Sequence, residues 1–153
     1  MRDRRPEGWN HWAEVVWRDA STPNFIGDMP HTWVGSDFLR SVRSMFVYER
    51  ERDNALVVGA GIPESWVRDP AGVAVKNLST YYGLLSYSMN TEGEKLAVTL
   101  EGDVRPPHGG IVFRCPLSAQ ITGVTINGTK SARFTPAEVT VSDVPSHIEI
   151  EFE

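Results

Sequence analysis

The chain has 153 residues, of which 41% are apolar and 23% charged, with a formal net charge of −5. That balance argues against a disordered, collagen-like or nucleic-acid-coating chain and gives no electrostatic reason to expect a phosphate-rich partner. The lone cysteine, Cys115, excludes an intramolecular disulfide and every Cys-rich zinc pattern, and no apolar run approaches the ~18–20 residues that a membrane-spanning helix needs.

The first residues, Met1 to Glu7, are charged and lead into no apolar stretch. A secretory signal is therefore not expected, and the default location is cytoplasmic. Trp9, Trp12, Ala13, Val16 and Trp17 recur at helical spacing and predict a first helix. On such a helix Glu14 falls away from the tryptophan face; if the segment is extended instead, Trp12, Glu14 and Val16 share a side. Asn24 to Pro30, with Pro23 and Gly27 nearby, reads as irregular. A second helix is expected from Thr32 to Tyr48, with Val34, Phe38, Val42, Met45 and Phe46 on its apolar face and Pro30 just ahead of its start.

Composition changes near residue 53. Four of the five tryptophans precede it, and Arg50-Glu51-Arg52-Asp53-Asn54 reads as a solvated turn. Beyond it come short β-branched runs separated by Gly, Pro, Asn and Asp. The expected strands are 55–59, 72–77, 84–89, 95–100, 110–115, 121–126, 138–141 and 147–152. Ile148, Ile150 and Phe152 alternate with His147, Glu149 and Glu151, which is strand periodicity. Asn127-Gly128 supports a tight hairpin, and residues 91–94 a second one. The fold class expected is α+β: a helical segment over residues 1–53, then an antiparallel β-sandwich of about eight strands over 54–153.

Familiar catalytic signatures are missing. The sequence has no nucleophile elbow, no P-loop, no dinucleotide fingerprint and no zinc-protease motif, and its four histidines lack metal-ligand spacing. Neither a cofactor nor a metal is expected. Trp66, beside Pro63 and Asp69-Pro70, reads as a hydrophobic plug. The dense signal lies in residues 8–38, where tryptophans stand beside Glu14, Asp28 and His31. Flat rings stack on the C–H faces of sugars, carboxylates and imidazoles hydrogen-bond hydroxyls, and a carboxylate can act as base in glycosidic cleavage.

Trp12-Ala13-Glu14, Trp17 and then Met29-Pro30-His31-Thr32-Trp33-Val34-Gly35 resemble the closing part of a six-hairpin (α/α)6 glycoside hydrolase of the α-L-rhamnosidase-like group. In that group a Trp-and-Glu motif precedes a His-containing motif that opens the last barrel helix, and a β-sandwich follows. Residues 72–75, 78–83 and 84–88, then Gly109 to Phe113 and the Asn127-Gly128 hairpin, are similar to that sandwich. The resemblance implies a C-terminal fragment of a longer carbohydrate-active enzyme. It implies that Glu14 is the catalytic base acting on water, that His31 and Trp33 line the sugar subsite with Trp12, and that Asp28 binds a hydroxyl. The acid partner would come from an earlier part of the barrel, so little turnover is expected from this chain alone.

Plainer roles stand beside these. Trp12 and Trp17 suit a core, Asp28 suits a turn, and His31 suits a helix cap as well as a ligand contact. The rival reading is a stand-alone, non-catalytic carbohydrate-binding or interaction module using Tyr81, Tyr82 and Tyr87 as its platform. Carbohydrate is the partner under both readings. The apolar helices also predict either self-association or a missing helical barrel that covers them.

Overall fold

The structure is a computed structural model that describes residues 11–15 and 27–153. It divides into two compact units, Met1–Arg43 and Ser44–Glu153. The first unit departs from the expected pair of helices. Residues 11–15 are not helical. Their backbone joins residues 27–31 in an antiparallel sense: Glu14 N–H donates to Asp28 O at 3.1 Å, Gly27 N–H to Val15 O at 2.9 Å, and His31 N–H to Trp12 O at 2.7 Å. The helical spacing of the tryptophans gives way to these bonds, which satisfy backbone groups that a helix would have paired between its own turns. Trp9, Val16 and Trp17 lie outside the described residues.

Helix α1 spans Thr32–Phe46. Its start is set by His31, whose Nδ1 accepts a hydrogen bond from Val34 N–H at 3.3 Å and satisfies one of the free donors of the first turn. It stops two residues short of the expected Tyr48, because Val47–Arg50 forms strand β1 instead. A turn over Glu51–Asp53 leads to β2, Ala55–Val58. Residues 44–53, grouped by composition with the helical segment, thus belong to the second unit.

That unit is a two-sheet sandwich. After the short helix α2 (Glu64–Val67) come β3 (Val73–Thr80), β4 (Gly83–Glu92), β5 (Lys95–Gly102), β6 (Ile111–Arg114), β7 (Ile121–Ile126), β8 (Thr129–Lys130), β9 (Glu138–Val141) and β10 (Ser146–Phe152). One sheet has the order β1-β2-β6-β9 and the other β3-β4-β5-β10-β7-β8. The expected α+β class holds, with β1 and β8 added to the expected strands. One pairing differs from an all-antiparallel sandwich: β2 and β6 run parallel, with Leu56 opposite Ile111 and Val58 opposite Phe113. All four residues of β2 are buried, as a parallel pair covered on both faces requires.

Inward residues of both sheets fill the core. Leu56, Leu85, Met89, Leu96, Leu100, Ile111, Phe113, Ile148 and Ile150 are all fully or nearly fully buried. Ala55, Val57 and Val112 form a separate cluster with Tyr48 and Ala60 on the other side of the four-stranded sheet. There Glu138 lies 3.2 Å from Arg114 and 3.7 Å from Arg50, so its carboxylate links the two edge strands, β1 and β9. Asn127 and Gly128 take φ of 49° and 77°, the double positive φ of the expected hairpin turn.

Glu64 fixes α2 to the sandwich. Its Oε2 accepts from Ser118 N–H at 3.0 Å and Ser118 Oγ–H at 2.6 Å, and its Oε1 from Arg68 Nε–H at 2.7 Å. The Ser118 bonds, followed by Arg68, hold the carboxyl down at about 2, against 4.5 for a free glutamate. A lowered folded-state pKa stabilises the fold above the unfolded value, and that contribution fades as pH falls from about 4.5 through about 2. In acid unfolding followed by circular dichroism, Glu64→Gln should therefore be less stable than wild type at neutral pH and converge with it near pH 2. Parallel curves for the two proteins across that window would refute the assignment.

Candidate functional site

The expected site residues all lie in the first unit. The bonds from Glu14 N–H to Asp28 O and from His31 N–H to Trp12 O bring these four residues together at the head of α1, and Trp33 stands two residues into that head. Glu14 and Asp28 are exposed and His31 is half-buried. Two solvent-exposed acidic residues and a half-buried histidine therefore occur on two paired segments.

Each aromatic ring has a different role. Trp12 stacks on Phe38, ring centroids 4.8 Å apart and planes tilted by 34°. Its Cδ1 also lies 3.6 Å from the place a β-carbon on Gly35 would take, so Trp12 packs along the Gly35–Phe38 side of α1. Trp33 is 74% exposed, the most open tryptophan among the described residues. His31 spends its Nδ1 lone pair on the helix cap, which leaves Nε2 as the ring atom for any ligand.

Gly27 carries no chemistry of its own, and the sequence marks it only as part of an irregular stretch. A β-carbon there would lie 3.0 Å from Glu14 Cβ, 3.0 Å from Val15 N and 3.1 Å from Glu14 Oε2. The missing side chain is what lets the Glu14 carboxylate lie against the neighbouring segment. The only advance signal was a glycine directly before Asp28 in an irregular stretch.

Among the described residues no group of three or more His, Cys, Asp or Glu side chains is placed to hold a metal, and no helix is long and apolar enough to cross a membrane. Cys115 is buried, and that burial pushes its thiol up, away from the reactive thiolate. Of the three tyrosines in the rival platform, Tyr87 is 2% exposed and donates its hydroxyl to Phe46 O at 3.1 Å, with burial raising its pKa. It is a core residue. Tyr82 packs against the core, and Tyr81 is 87% exposed. Compared with family sequence models, with curated proteins and with solved structures, the chain gives no significant match.

Proposed function

We propose that this chain is the C-terminal part of a carbohydrate-active enzyme, a glycoside hydrolase, in which the sandwich supports a helical barrel and Trp12, Glu14, Asp28, His31 and Trp33 supply one wall of the sugar site. The observation that carries this reading is the character of α1. None of its residues is fully buried, while Phe38, Leu39 and Val42 are 38%, 68% and 37% exposed along one side. A helix with an open apolar stripe suits a place among further helices. The cluster of Glu14, Asp28, His31 and Trp33 sits at the head of that same helix.

In the inverting form of glycoside hydrolysis, a carboxylate takes a proton from water as the water oxygen attacks the anomeric carbon. A carboxylic acid about 6.5–9.5 Å away protonates the departing oxygen. Glu14 is the residue assigned to the first role. The second belongs to a segment beyond these residues, so the chain alone is expected to hydrolyse little.

The size of the native polypeptide tests the reading. An antibody raised against this chain should detect a band far above 17.1 kDa in the source cells; a band at that mass would end it. The isolated chain should self-associate in light scattering and bind a hydrophobic dye through the α1 stripe. A clean monomer that leaves the dye dark would mean that the stripe needs no partner.

A further inference from the structure

A second exposed tryptophan occurs in the sandwich unit, far along the chain from the cluster at α1. Trp66 is 46% exposed, whereas the next residue, Val67, is fully buried. A helix of one turn is marginal by itself, but α2 is held at both ends. Val67 enters the core, and Glu64 is tied to Ser118 and Arg68. Adjacent helical residues point about 100° apart, so the anchoring of Val67 holds the indole outward. Trp66 therefore presents an exposed aromatic surface from an anchored turn.

Trp66 lines a groove of about 350 Å³ together with Phe46, Ser65, Asp69 and residues 72–75. That volume lies in the range of small-molecule sites. Residues 73–75 begin β3, the edge strand of the six-stranded sheet, so backbone donors and acceptors border the groove. Asp69 is held in a tight turn, its Oδ1 accepting from Ala71 N–H at 2.9 Å and its backbone O from Gly72 N–H at 2.8 Å. Gly72 has φ +61°, and a β-carbon there would lie 2.5 Å from Met89 O, so this position adds only backbone to the lining. The groove thus combines an aromatic surface with a carboxylate, a hydroxyl and a strand edge.

An occupant that uses every one of these groups is apolar on one face and rich in hydroxyls around its rim. A purely apolar ligand would strip water from Asp69 and Ser65 without replacing their hydrogen bonds, and an anion would meet the Asp69 carboxylate. We infer that this groove is a subsite for a neutral sugar ring, stacked on Trp66 with its hydroxyls bonded to Asp69, Ser65 and the edge of β3. It goes beyond the proposed catalytic role, since it shares no residue with Trp12, Glu14, Asp28, His31 or Trp33 and lies in the other unit.

The test uses the whole chain labelled with 5-fluorotryptophan, each fluorine resonance assigned by a single Trp→Phe variant. One-ring contacts are weak, so the methyl glycosides of D-glucose, D-galactose, D-mannose and L-rhamnose are titrated to about 50 mM, with ethylene glycol as control. At least one glycoside should move the Trp66 resonance saturably. Trp66→Ala, monitored through the amide resonances of residues 72–75, should weaken that binding about tenfold or more, and Asp69→Asn by a smaller factor. Trp33→Phe should leave it unchanged. A Trp66 resonance unmoved by all four glycosides, an equal response to ethylene glycol, or unchanged affinity in both Trp66→Ala and Asp69→Asn would overturn the inference. Shifts confined to Trp12 and Trp33 would overturn it while leaving the proposed enzyme standing, whereas the proposed enzyme falls with a native polypeptide of 17.1 kDa whatever Trp66 does.

Discussion

Alanine at position 102 is expected to cost the sandwich about 4 kcal/mol or more, the range reached only by severe backbone or core lesions. For a unit of the size of Ser44–Glu153 that corresponds to a fall of roughly 15–20 °C or more in thermal midpoint. Two effects combine at this site. Gly102 has φ +127°, where L side chains are strained, and a β-carbon there would sit on the carbonyl oxygen of Leu84. Neither can relax easily. Gly102 pairs with Leu85 at the end of the β4–β5 ladder, and Leu85 is fully buried, so moving β4 outward would open the core. Gly93→Ala and Gly128→Ala separate the two effects, since both have positive φ but nothing within 4 Å of the added carbon. Each should cost only the left-handed backbone term, about 1–2 kcal/mol. Thermal unfolding of the three variants by circular dichroism decides the point. Equal losses at 102, 93 and 128 would mean that the Leu84 contact carries no weight.

The contrast among these glycines also shows which parts of the fold a sequence reveals. The turn at Asn127-Gly128 was legible because its chemistry is local: two residues with positive φ between two alternating runs. The strands β5, β9 and β10 were legible because each alternates between the core and a more open face. Strand β1 was not. Val47 and Tyr48 extend the helical spacing of Val42, Met45 and Phe46, and only pairing with β2 decides that the chain turns extended at residue 47. The parallel match of β2 with β6 was equally hidden, because it joins residues more than fifty positions apart. A fully apolar run says that a strand is buried, not which way its partner runs.

The candidate site divides along the same line. Tryptophans beside carboxylates marked residues 8–38, but their helical spacing misplaced the first segment. The bonds between 12–15 and 27–31 join residues far apart in sequence and leave no local pattern. Trp66 was misread for a related reason. Flanking prolines suggested a plugged loop, yet the plug is Val67 and the indole is turned outward. One residue of phase on a single helical turn separates a core side chain from an exposed one.

Glu14→Gln carries the largest effect on function. In the longer enzyme proposed above, it should lower kcat by about 10²–10⁴-fold, the usual contribution of a general base, with KM changed little. The substitution keeps the shape of the side chain and removes the charge that accepts a proton from water. Its setting favours a clean comparison. Glu14 is exposed, its backbone bond to Asp28 is made by the N–H, and the space beside its carboxylate is secured by Gly27. Folding should therefore be unaffected, and the melting midpoint of the variant should match wild type. Asp28→Asn supplies the control. If Asp28 only binds a hydroxyl, its loss should raise KM several-fold and leave kcat within about tenfold. Should Glu14→Gln retain full kcat, or should Asp28→Asn prove the more damaging of the two, Glu14 is not the base and the assignment of the water-activating role fails at this residue.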